Sequence, residues 1–158
     1  MWEYAGEVAR RVWGRQPTRA ELHRAIDDDP HSDLEPPHGS FLAARAGNGD
    51  LLGYAGVRLL KSAPGTAEIK RMYVRPAGRG SGLGRGLLLA AETSALEMGA
   101  THMVLETNTR LTEARGMYEA HGYVETAPYN DHGAAEHWYL KVLVQQQPEE
   151  AGGITRSG

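Results

Sequence analysis

Apolar residues near the N-terminus recur at the spacing of a helix. Between residues 2 and 13, charged residues separate the members of one apolar stripe, which are Trp2, Ala5, Val8, Ala9, Val12 and Trp13. This spacing predicts an amphipathic helix, and Gly14 ends it. The segment Thr18-Arg-Ala-Glu21 has the form of a capping box, so we predict a second short helix that stops at Pro30.

Short apolar segments separated by turn residues then predict a three-stranded meander. Its strands span residues 40–45, 51–60 and 68–74, and the Asn-Gly pair within residues 47–50 is typical of a tight hairpin turn. Gly53 and Gly56 lie inside the second strand, where glycine indicates a bulge or a close approach of two backbones.

A long helix and a further strand follow the meander. The helix begins at Gly82, and Gly99 stands where a left-handed cap ends a helix. The residues predicted to be buried on its apolar face are Leu83, Leu87, Leu88, Ala90, Ala91 and Ala95. The next strand spans residues 102–107. A strand–helix–strand connection of this kind implies two parallel strands.

The last part of the chain predicts one more helix and a pair of antiparallel strands. The helix spans residues 111–121, and the strands span residues 123–127 and 136–144. Together these elements predict an α/β (α+β) fold, with a mixed, mostly antiparallel central sheet flanked by helices. We expect a single domain over residues 1–144 and a disordered tail over residues 145–158, which have too few apolar side chains to pack.

Composition narrows the classes of function. The chain has 158 residues, a length that suits one domain with a hydrophobic core. Its net charge is −3, which argues against a nucleic-acid partner. No apolar run approaches the ~18 residues that span a bilayer, and the first residues lack the features of a signal peptide. We therefore expect a soluble cytoplasmic protein without a membrane partner. The absence of cysteine excludes disulfides, thiolate metal sites and a cysteine nucleophile.

Residues 27–35 form an acidic and irregular segment. Three aspartates at the end of a helix oppose the helix dipole, so local stability does not explain them. The segment is either a solvated loop or a rim that attracts a cationic amine, and the sequence leaves both open.

A glycine-rich stretch from Arg75 to Gly86 joins the third strand to the long helix. It collects backbone N–H groups at a helix N-terminus beside Arg79 and Arg85, which favours a phosphate or pyrophosphate ligand. The glycine spacing does not fit the dinucleotide-binding fingerprint, and the chain has no Gly-Lys pair for a Walker loop. A flexible linker is the alternative, but linkers do not usually run straight into an amphipathic helix.

These motifs resemble the Gcn5-related N-acetyltransferase (GNAT) superfamily. The loop Arg79-Gly-Ser-Gly82-Leu-Gly84 matches its cofactor motif, and the segment from Leu105 to Tyr123 resembles its next strand, asparagine and tyrosine-bearing helix. The resemblance covers residues 36–144. It implies acetyl-CoA as the cosubstrate and an enzyme that moves the acetyl group directly from the CoA thioester to a primary amine of a small molecule or peptide.

The resemblance also implies roles for individual residues. The CoA pyrophosphate would lie on the backbone N–H groups of Arg79, Gly80, Ser81, Gly82, Leu83, Gly84 and Arg85. The pantetheine arm would pair like a strand with the backbone of Met72, Tyr73 and Val74. Asn108 would bind that arm, and the alternative is a helix N-cap or a turn residue. Tyr118 would protonate the leaving thiolate, with packing in the core as the alternative.

The acceptor amine must lose a proton, because an alkylamine has a pKa of ~10.4. Glu68 is the base that the resemblance favours, with Glu106 second and His132 or His137 third, although each could be structural. The two histidines are five residues apart around an expected turn, which is not a metal-binding spacing, and we predict no metal site. Three aromatic residues could line the acceptor pocket or pack in the core: Tyr129, Trp138 and Tyr139.

Three other functions compete with this interpretation. A non-catalytic acyl-CoA-binding or sensing module of the same fold would not need Tyr118 as a proton donor. A binder of another nucleotide conflicts with the glycine spacing, and a transferase acting on aminoacyl-tRNA conflicts with the acidic balance of the chain. The identity of the acceptor amine and the oligomeric state stay open, and a homodimer is one option.

Overall fold

The computed structural model describes residues 2–28 and 31–143. Four helices are described, which are α1 (Trp2–Trp13), α2 (Arg19–Asp27), α3 (Leu83–Glu97) and α4 (Thr112–Ala120). The six strands are β1 (Gly39–Arg45), β2 (Leu51–Leu59), β3 (Thr66–Val74), β4 (His102–Thr107), β5 (Val124–Thr126) and β6 (His137–Val142). Short 3₁₀ turns lie at His31–Leu34 and Pro76–Gly78. Among these helices, none is long and apolar enough to cross a membrane. The tail predicted over residues 145–158 lies outside the described residues.

The six strands form one sheet in the order β1-β2-β3-β4-β6-β5. Strands β1, β2 and β3 are an antiparallel meander, and β3 and β4 are parallel. The last strand, β6, lies antiparallel between β4 and β5. The predicted mixed, mostly antiparallel sheet is therefore confirmed, including the single parallel pair across α3.

Local signals in the sequence place most of the element boundaries. At the start of α2, Thr18 Oγ1 accepts a hydrogen bond from the N–H of Glu21 at 3.2 Å, and the N–H of Thr18 donates to Glu21 Oε2 at 2.8 Å. Both bonds of the predicted capping box are thus present. Gly99 has a φ of +89° just after α3, as expected for a left-handed helix end.

The main core lies between the sheet and helices α3 and α4. Leu88, Ala91 and Ala95 of α3 are fully buried against the sheet, where they meet Val57 and Met103. The prediction that Ala90 is buried is wrong, because it lies on the exposed side of α3. Leu83 is only half-buried, so four of the six predicted residues are buried, which are Leu87, Leu88, Ala91 and Ala95.

A close approach of backbones explains the first glycine of β2. A side chain at Gly53 would place its Cβ 2.8 Å from the carbonyl oxygen of Tyr73 on β3. The pairing of β2 with β3 also shifts register between Tyr54 and Gly56. The close contact that these glycines predict is confirmed, whereas the extra residue of the bulge lies in β3, where Arg71 and Met72 stand opposite Ala55.

Candidate active site

A cleft of about 340 Å³ opens where β3 and β4 separate. The two strands pair only from Thr66 to Glu68 on β3 and from His102 to Val104 on β4. Beyond those residues the strands diverge, so the backbone of β3 that faces β4 is open to a ligand that can pair like a strand. Met72, Tyr73 and Val74, which were predicted to bind the pantetheine arm, all line this cleft.

A bulge in β3 sets which side chains face the cleft. Arg71 has a φ of +55° and is buried, and the register of β2 against β3 skips one residue beside it. A bulge changes the face to which the following side chains point. Met72 consequently lies beside Tyr118 on α4, while Tyr73 points toward α1. The sequence carries no signal for this bulge, because nothing about Arg71 itself favours a positive φ.

The predicted phosphate loop lies at one end of the cleft, and Arg79 and Gly84 belong to the cleft lining. Gly80 and Gly82 both have a φ of +79°, and Gly82 precedes the first turn of α3. Within the described part of the chain, the N–H groups of residues 80–85 have no backbone acceptor. These groups lie at the positive end of the helix dipole, so the loop offers donors to an anion such as pyrophosphate.

Arg79 is held by a carboxylate from the N-terminal helix. Its Nη2 lies 2.7 Å and 2.9 Å from the two carboxylate oxygens of Glu7, and its Nε donates to the carbonyl oxygen of Val74 at 2.9 Å. The hydroxyl of Tyr73 donates to Glu7 at 2.8 Å. Burial and then Glu7 raise the pKa of Tyr73 above its usual range, so this hydroxyl stays protonated.

Tyr118 is buried between α4 and the sheet and lines the cleft. Its ring packs edge-on against Tyr123 and tilted against Tyr139, with centroid distances of 5.9 and 6.3 Å. Its hydroxyl points to Met72 Sδ at 3.8 Å. The two sequence interpretations of Tyr118 are thus compatible, because the ring packs in the core while the hydroxyl reaches the cleft.

The structure does not bring Glu68 into the cleft with Tyr118. Glu68 lies next to Ile69 on β3, and neighbouring residues of a strand point to opposite faces of a sheet. Its side chain is buried, with one oxygen 2.8 Å from Arg58 Nη2 and the other accepting from Tyr129 at 2.7 Å. Both oxygens of Glu68 are thus bonded outside the cleft, and this position does not support its predicted role as the general base.

Glu106 is the predicted base that lines the cleft. Asn130 Nδ2 donates to its Oε2 at 2.5 Å, and His132 Nδ1 lies against its Oε1. Burial alone would raise the pKa of Glu106, but the hydrogen bonds with His132 and Asn130 outweigh it, and the pKa lies below its usual range. Glu106 is consequently ionised and faces the cleft as a negative charge.

Asn108 serves as a turn residue in the structure. Its Oδ1 accepts from the N–H of Arg110 at 3.1 Å, and its Nδ2 donates to the carbonyl of Ala134 at 3.0 Å and to Glu136 at 2.5 Å. Both ends of the amide are therefore used between β4 and the loop before β6. Asn108 does not belong to the cleft lining, so its predicted bond to the pantetheine arm has no support from its position.

The remaining predicted residues lie away from the reacting part of the cleft. His137 lies between Glu125 and Thr109. Tyr139 is fully buried in the core. Trp138 donates from Nε1 to Asn130 at 2.9 Å and thereby supports the side chain that bonds Glu106. The acidic segment contributes Asp33, which pairs with Arg58 at 3.2 Å.

Several residues line the cleft that the sequence analysis did not name individually, although the N-terminal helices were expected to contribute to an acceptor pocket. They are Glu7, Val8 and Arg11 of α1, Arg71 of β3, and Leu111 and Glu113 at the start of α4. Arg11 Nη2 pairs with Glu113 at 2.7 Å and so joins α1 to α4 across the cleft. The amphipathic pattern of α1 indicates a helix but does not say which element its polar face meets.

Comparison with known proteins agrees with this geometry. The sequence model that describes the acetyltransferase (GNAT) family matches residues 2–123 of this chain. The chain is 37% identical over 107 residues to an uncharacterized N-acetyltransferase of Schizosaccharomyces pombe, covering 66% of this chain and 65% of that protein. It therefore spans just under two thirds of the length of that relative. It is also 33% identical over 121 residues to N-alpha-acetyltransferase RimI of Mycobacterium tuberculosis, covering 67% of this chain and 74% of RimI.

A solved structure shares the fold. PaiA N-acetyltransferase of Thermoplasma acidophilum, in complex with coenzyme A, superposes with a TM-score of 0.63 at 20% identity. The match covers 89% of this chain and 92% of that one. At this level of identity the likeness is one of fold.

Proposed function

Because this chain belongs to the acetyltransferase (GNAT) family, we propose that it transfers the acetyl group of acetyl-CoA directly to the nitrogen of a primary amine. One observation carries the proposal: a single cleft joins the open edge of β3, the free N–H groups of the glycine loop and the hydroxyl of Tyr118. The phosphate anchor and the strand-like groove would bind the CoA thioester, and the proton donor would assist the departure of its thiolate.

The residues present fit this cosubstrate. The N–H groups of residues 80–85 would hold the pyrophosphate at the start of α3. The backbone of residues 72–74 would pair with the pantetheine amides along the open edge of β3. The thioester would then reach the region between Met72 and Tyr118, where the phenol can protonate the departing thiolate. Because the chain has no cysteine, the acetyl group passes to the amine without a thioester on the enzyme.

One carboxylate of the cleft favours a cationic acceptor. Glu106 is ionised inside the cleft, whereas the other two lining carboxylates, Glu7 and Glu113, are paired with Arg79 and Arg11. An alkylammonium, with a pKa of ~10.4, arrives protonated at neutral pH and is attracted to such a carboxylate. RimI is named for acetylation of an α-amino group. A peptide N-terminus and a small amine are accordingly both within the proposed substrate class.

A screen of acetyl-CoA consumption tests the proposal. The enzyme is mixed with acetyl-CoA and a panel of diamines, amino acid amides, peptides and amino sugars, and the release of free CoA thiol is followed over time. Amine-dependent thiol release, with the acetylated amine found by mass spectrometry, supports the transferase. CoA binding without release for any amine would instead favour an acyl-CoA-binding module of the same fold.

The pairing of Glu7 with Arg79 leads to a prediction for cofactor affinity. Glu7→Gln should lower the Kd for CoA by about 5-fold at low salt, equivalent to ~1 kcal/mol, because a negative charge beside the phosphate loop is removed. The gain should shrink as salt is added. Isothermal titration calorimetry with CoA measures both effects.

The matched control for this variant is Glu3→Gln. Glu3 lies one turn earlier on the same helix and pairs with Arg75 at 3.0 Å. Its replacement should leave the Kd for CoA nearly unchanged. If Glu7→Gln weakened CoA binding, Glu7 would have to act by holding Arg79 in its binding position.

A further inference from the structure

Asn130, in the loop between β5 and β6, bridges two side chains of the sheet. Its Nδ2 donates to Glu106 Oε2 on β4 at 2.5 Å, and its Oδ1 accepts from Trp138 Nε1 on β6 at 2.9 Å. Glu106 and Trp138 stand directly opposite each other in the antiparallel pairing of these strands. Side chains at such positions are neighbours on one face of a sheet. One amide therefore joins both members of a single cross-strand pair.

The partners of Asn130 fix the direction of its amide. The indole N–H of tryptophan only donates a hydrogen bond, and an ionised carboxylate only accepts one. The amide satisfies both partners only with its oxygen toward Trp138 and its nitrogen toward Glu106. The reverse orientation would place two donors together at Trp138 and two acceptors together at Glu106. The Trp138 indole thus directs the Asn130 N–H at the carboxylate.

The residue before Asn130 is anchored in the same manner. The Tyr129 hydroxyl donates to Glu68 Oε2 on β3 at 2.7 Å, and Glu68 is itself buried and paired with Arg58 at 2.8 Å. Burial and the charge of Glu68 raise the pKa of Tyr129 above its usual range, so the hydroxyl stays a donor. Two consecutive loop residues are thereby bound to carboxylates of two neighbouring strands. This double attachment keeps Asn130 in place beside Glu106.

The contacts of Glu106 leave room for another donor. Besides the bond from Asn130 to Oε2, His132 Nδ1 lies against Oε1. A carboxylate offers about four acceptor sites, so these two contacts do not saturate it. The Glu106 side chain is 12% exposed and lines the cleft. The loop therefore fixes the carboxylate from one side, while the cleft gives access to it from another.

We propose that Asn130, with its amide directed by Trp138, is a positioning residue that holds the Glu106 carboxylate in place to bind the ammonium group of the acceptor amine. This inference rests on the proposed acetyl transfer. A free glutamate side chain would lose rotamer freedom on meeting the amine, and the bond from Asn130 removes that loss before the amine arrives. Neither Asn130 nor Trp138 belongs to the cleft lining, so both act on the amine through Glu106.

The same bond favours the ionised form of Glu106. Burial raises the pKa of this carboxyl, and the hydrogen bonds with His132 and Asn130 lower it below its usual range. Among the other ionisable groups that act on it or line the cleft are Lys70, Arg71, Glu113 and Tyr129. Removal of the Asn130 N–H takes away one lowering contribution, so the pKa of Glu106 should rise in Asn130→Leu. NMR of the glutamate carboxyl carbons, titrated against pH, measures this shift.

The binding test compares amine affinity in the parent and in Asn130→Leu. Leucine has a similar shape to asparagine but cannot donate to Glu106. The probe is the best amine of the acetyl-CoA screen, titrated by calorimetry into enzyme saturated with CoA, so that no acetyl group is transferred. We expect the Kd for the amine to rise about 10-fold, with the Kd for CoA unchanged.

Double variants show whether Asn130 acts through Glu106. Glu106→Gln should raise the Kd for the amine by at least about 10-fold, and adding Asn130→Leu to it should cause no further loss. Trp138→Phe removes only the indole donor. It should raise the Kd for the amine by about 3-fold in the parent and leave it unchanged in Asn130→Leu. Such non-additivity is not expected of substitutions that merely loosen the fold.

Thr109→Val is the matched control. Thr109 Oγ1 donates to Glu136 Oε2 at 2.7 Å, so a carboxylate of the same loop loses a partner in this variant. Neither Thr109 nor Glu136 lines the cleft, and valine keeps the shape of threonine. The variant should keep the parent Kd for the amine and the parent titration of Glu106.

Each outcome supports or overturns the inference. If the parent acetylates an amine and Asn130→Leu binds it with the parent Kd, the inference is overturned while the transferase stands. An additive loss in the Glu106→Gln background would show a structural role and would also overturn it, as would an unchanged titration of Glu106. If Asn130→Leu does not fold, Trp138→Phe decides by the same measurement. If the parent acetylates no amine, the proposed function fails first and the inference fails with it.

Discussion

Replacing Tyr118 with phenylalanine is expected to lower kcat by about 100-fold, or ~2.7 kcal/mol in activation free energy, with little change in the acetyl-CoA KM. The ring of Tyr118 packs against Tyr123 and Tyr139, and phenylalanine retains that packing. Only the hydroxyl is lost, and it is the group that faces Met72 in the cleft. A proton donor acts in the transition state, so its removal affects kcat more than ground-state binding. Steady-state kinetics with a saturating amine measure the effect.

Tyr123→Phe is the matched control for this experiment. Tyr123 is also buried and touches Tyr118, but its hydroxyl donates to Glu92 on α3 at 3.0 Å. Burial and the charge of Glu92 raise the pKa of Tyr123 above its usual range. Its replacement should cost about 1 kcal/mol in the free energy of unfolding and leave kcat unchanged. Equal rates for Tyr118→Phe and the parent would mean that water or another group protonates the thiolate.

Gly82→Val is expected to raise the Kd for CoA by at least about 100-fold, since two charge-assisted hydrogen bonds of ~1.5–3 kcal/mol each are lost. Gly82 has a φ of +79°, which a β-branched residue adopts only with strain. A Cβ at this position meets no protein atom within 4 Å, so the new methyl groups would project into the open space beside the loop. When the loop rotates to relieve this strain, the N–H groups of residues 82–85 no longer point toward the phosphate.

Gly86→Ala is the matched control, which tests whether any substitution in the glycine-rich stretch weakens CoA binding. Gly86 lies inside α3, and a Cβ there also meets no atom within 4 Å. Because alanine favours a helix interior by ~1 kcal/mol over glycine, this variant should raise Tm and leave CoA affinity unchanged. Calorimetric titration and thermal unfolding of both variants complete the comparison. Parent-like affinity in a folded Gly82→Val protein would remove the phosphate-loop interpretation.

The sequence predicted nearly every element and the loop at the start of α3. The signals responsible act over a few residues. The Thr18–Glu21 capping box spans one helical turn, the left-handed φ of Gly99 follows the end of α3, and the apolar residues of α3 recur at the helical period. The glycine loop is also a local signal, because the hydrogen-bond donors that it offers are its own backbone N–H groups.

Only the tertiary structure decided the electrostatic state of the candidate site. The sequence alone does not distinguish Glu68 from Glu106. In the structure, Glu68 bonds to Arg58 and Tyr129 outside the cleft, whereas Glu106 lines the cleft and contacts His132. Likewise, Glu7 reaches Arg79 across 72 residues of chain, and the positive φ of Arg71 depends on the pairing of β3 with β2. A charged side chain takes its role from partners that the fold brings near. The sequence therefore determined the backbone that can hold a phosphate, and the fold determined which side chains can move a proton.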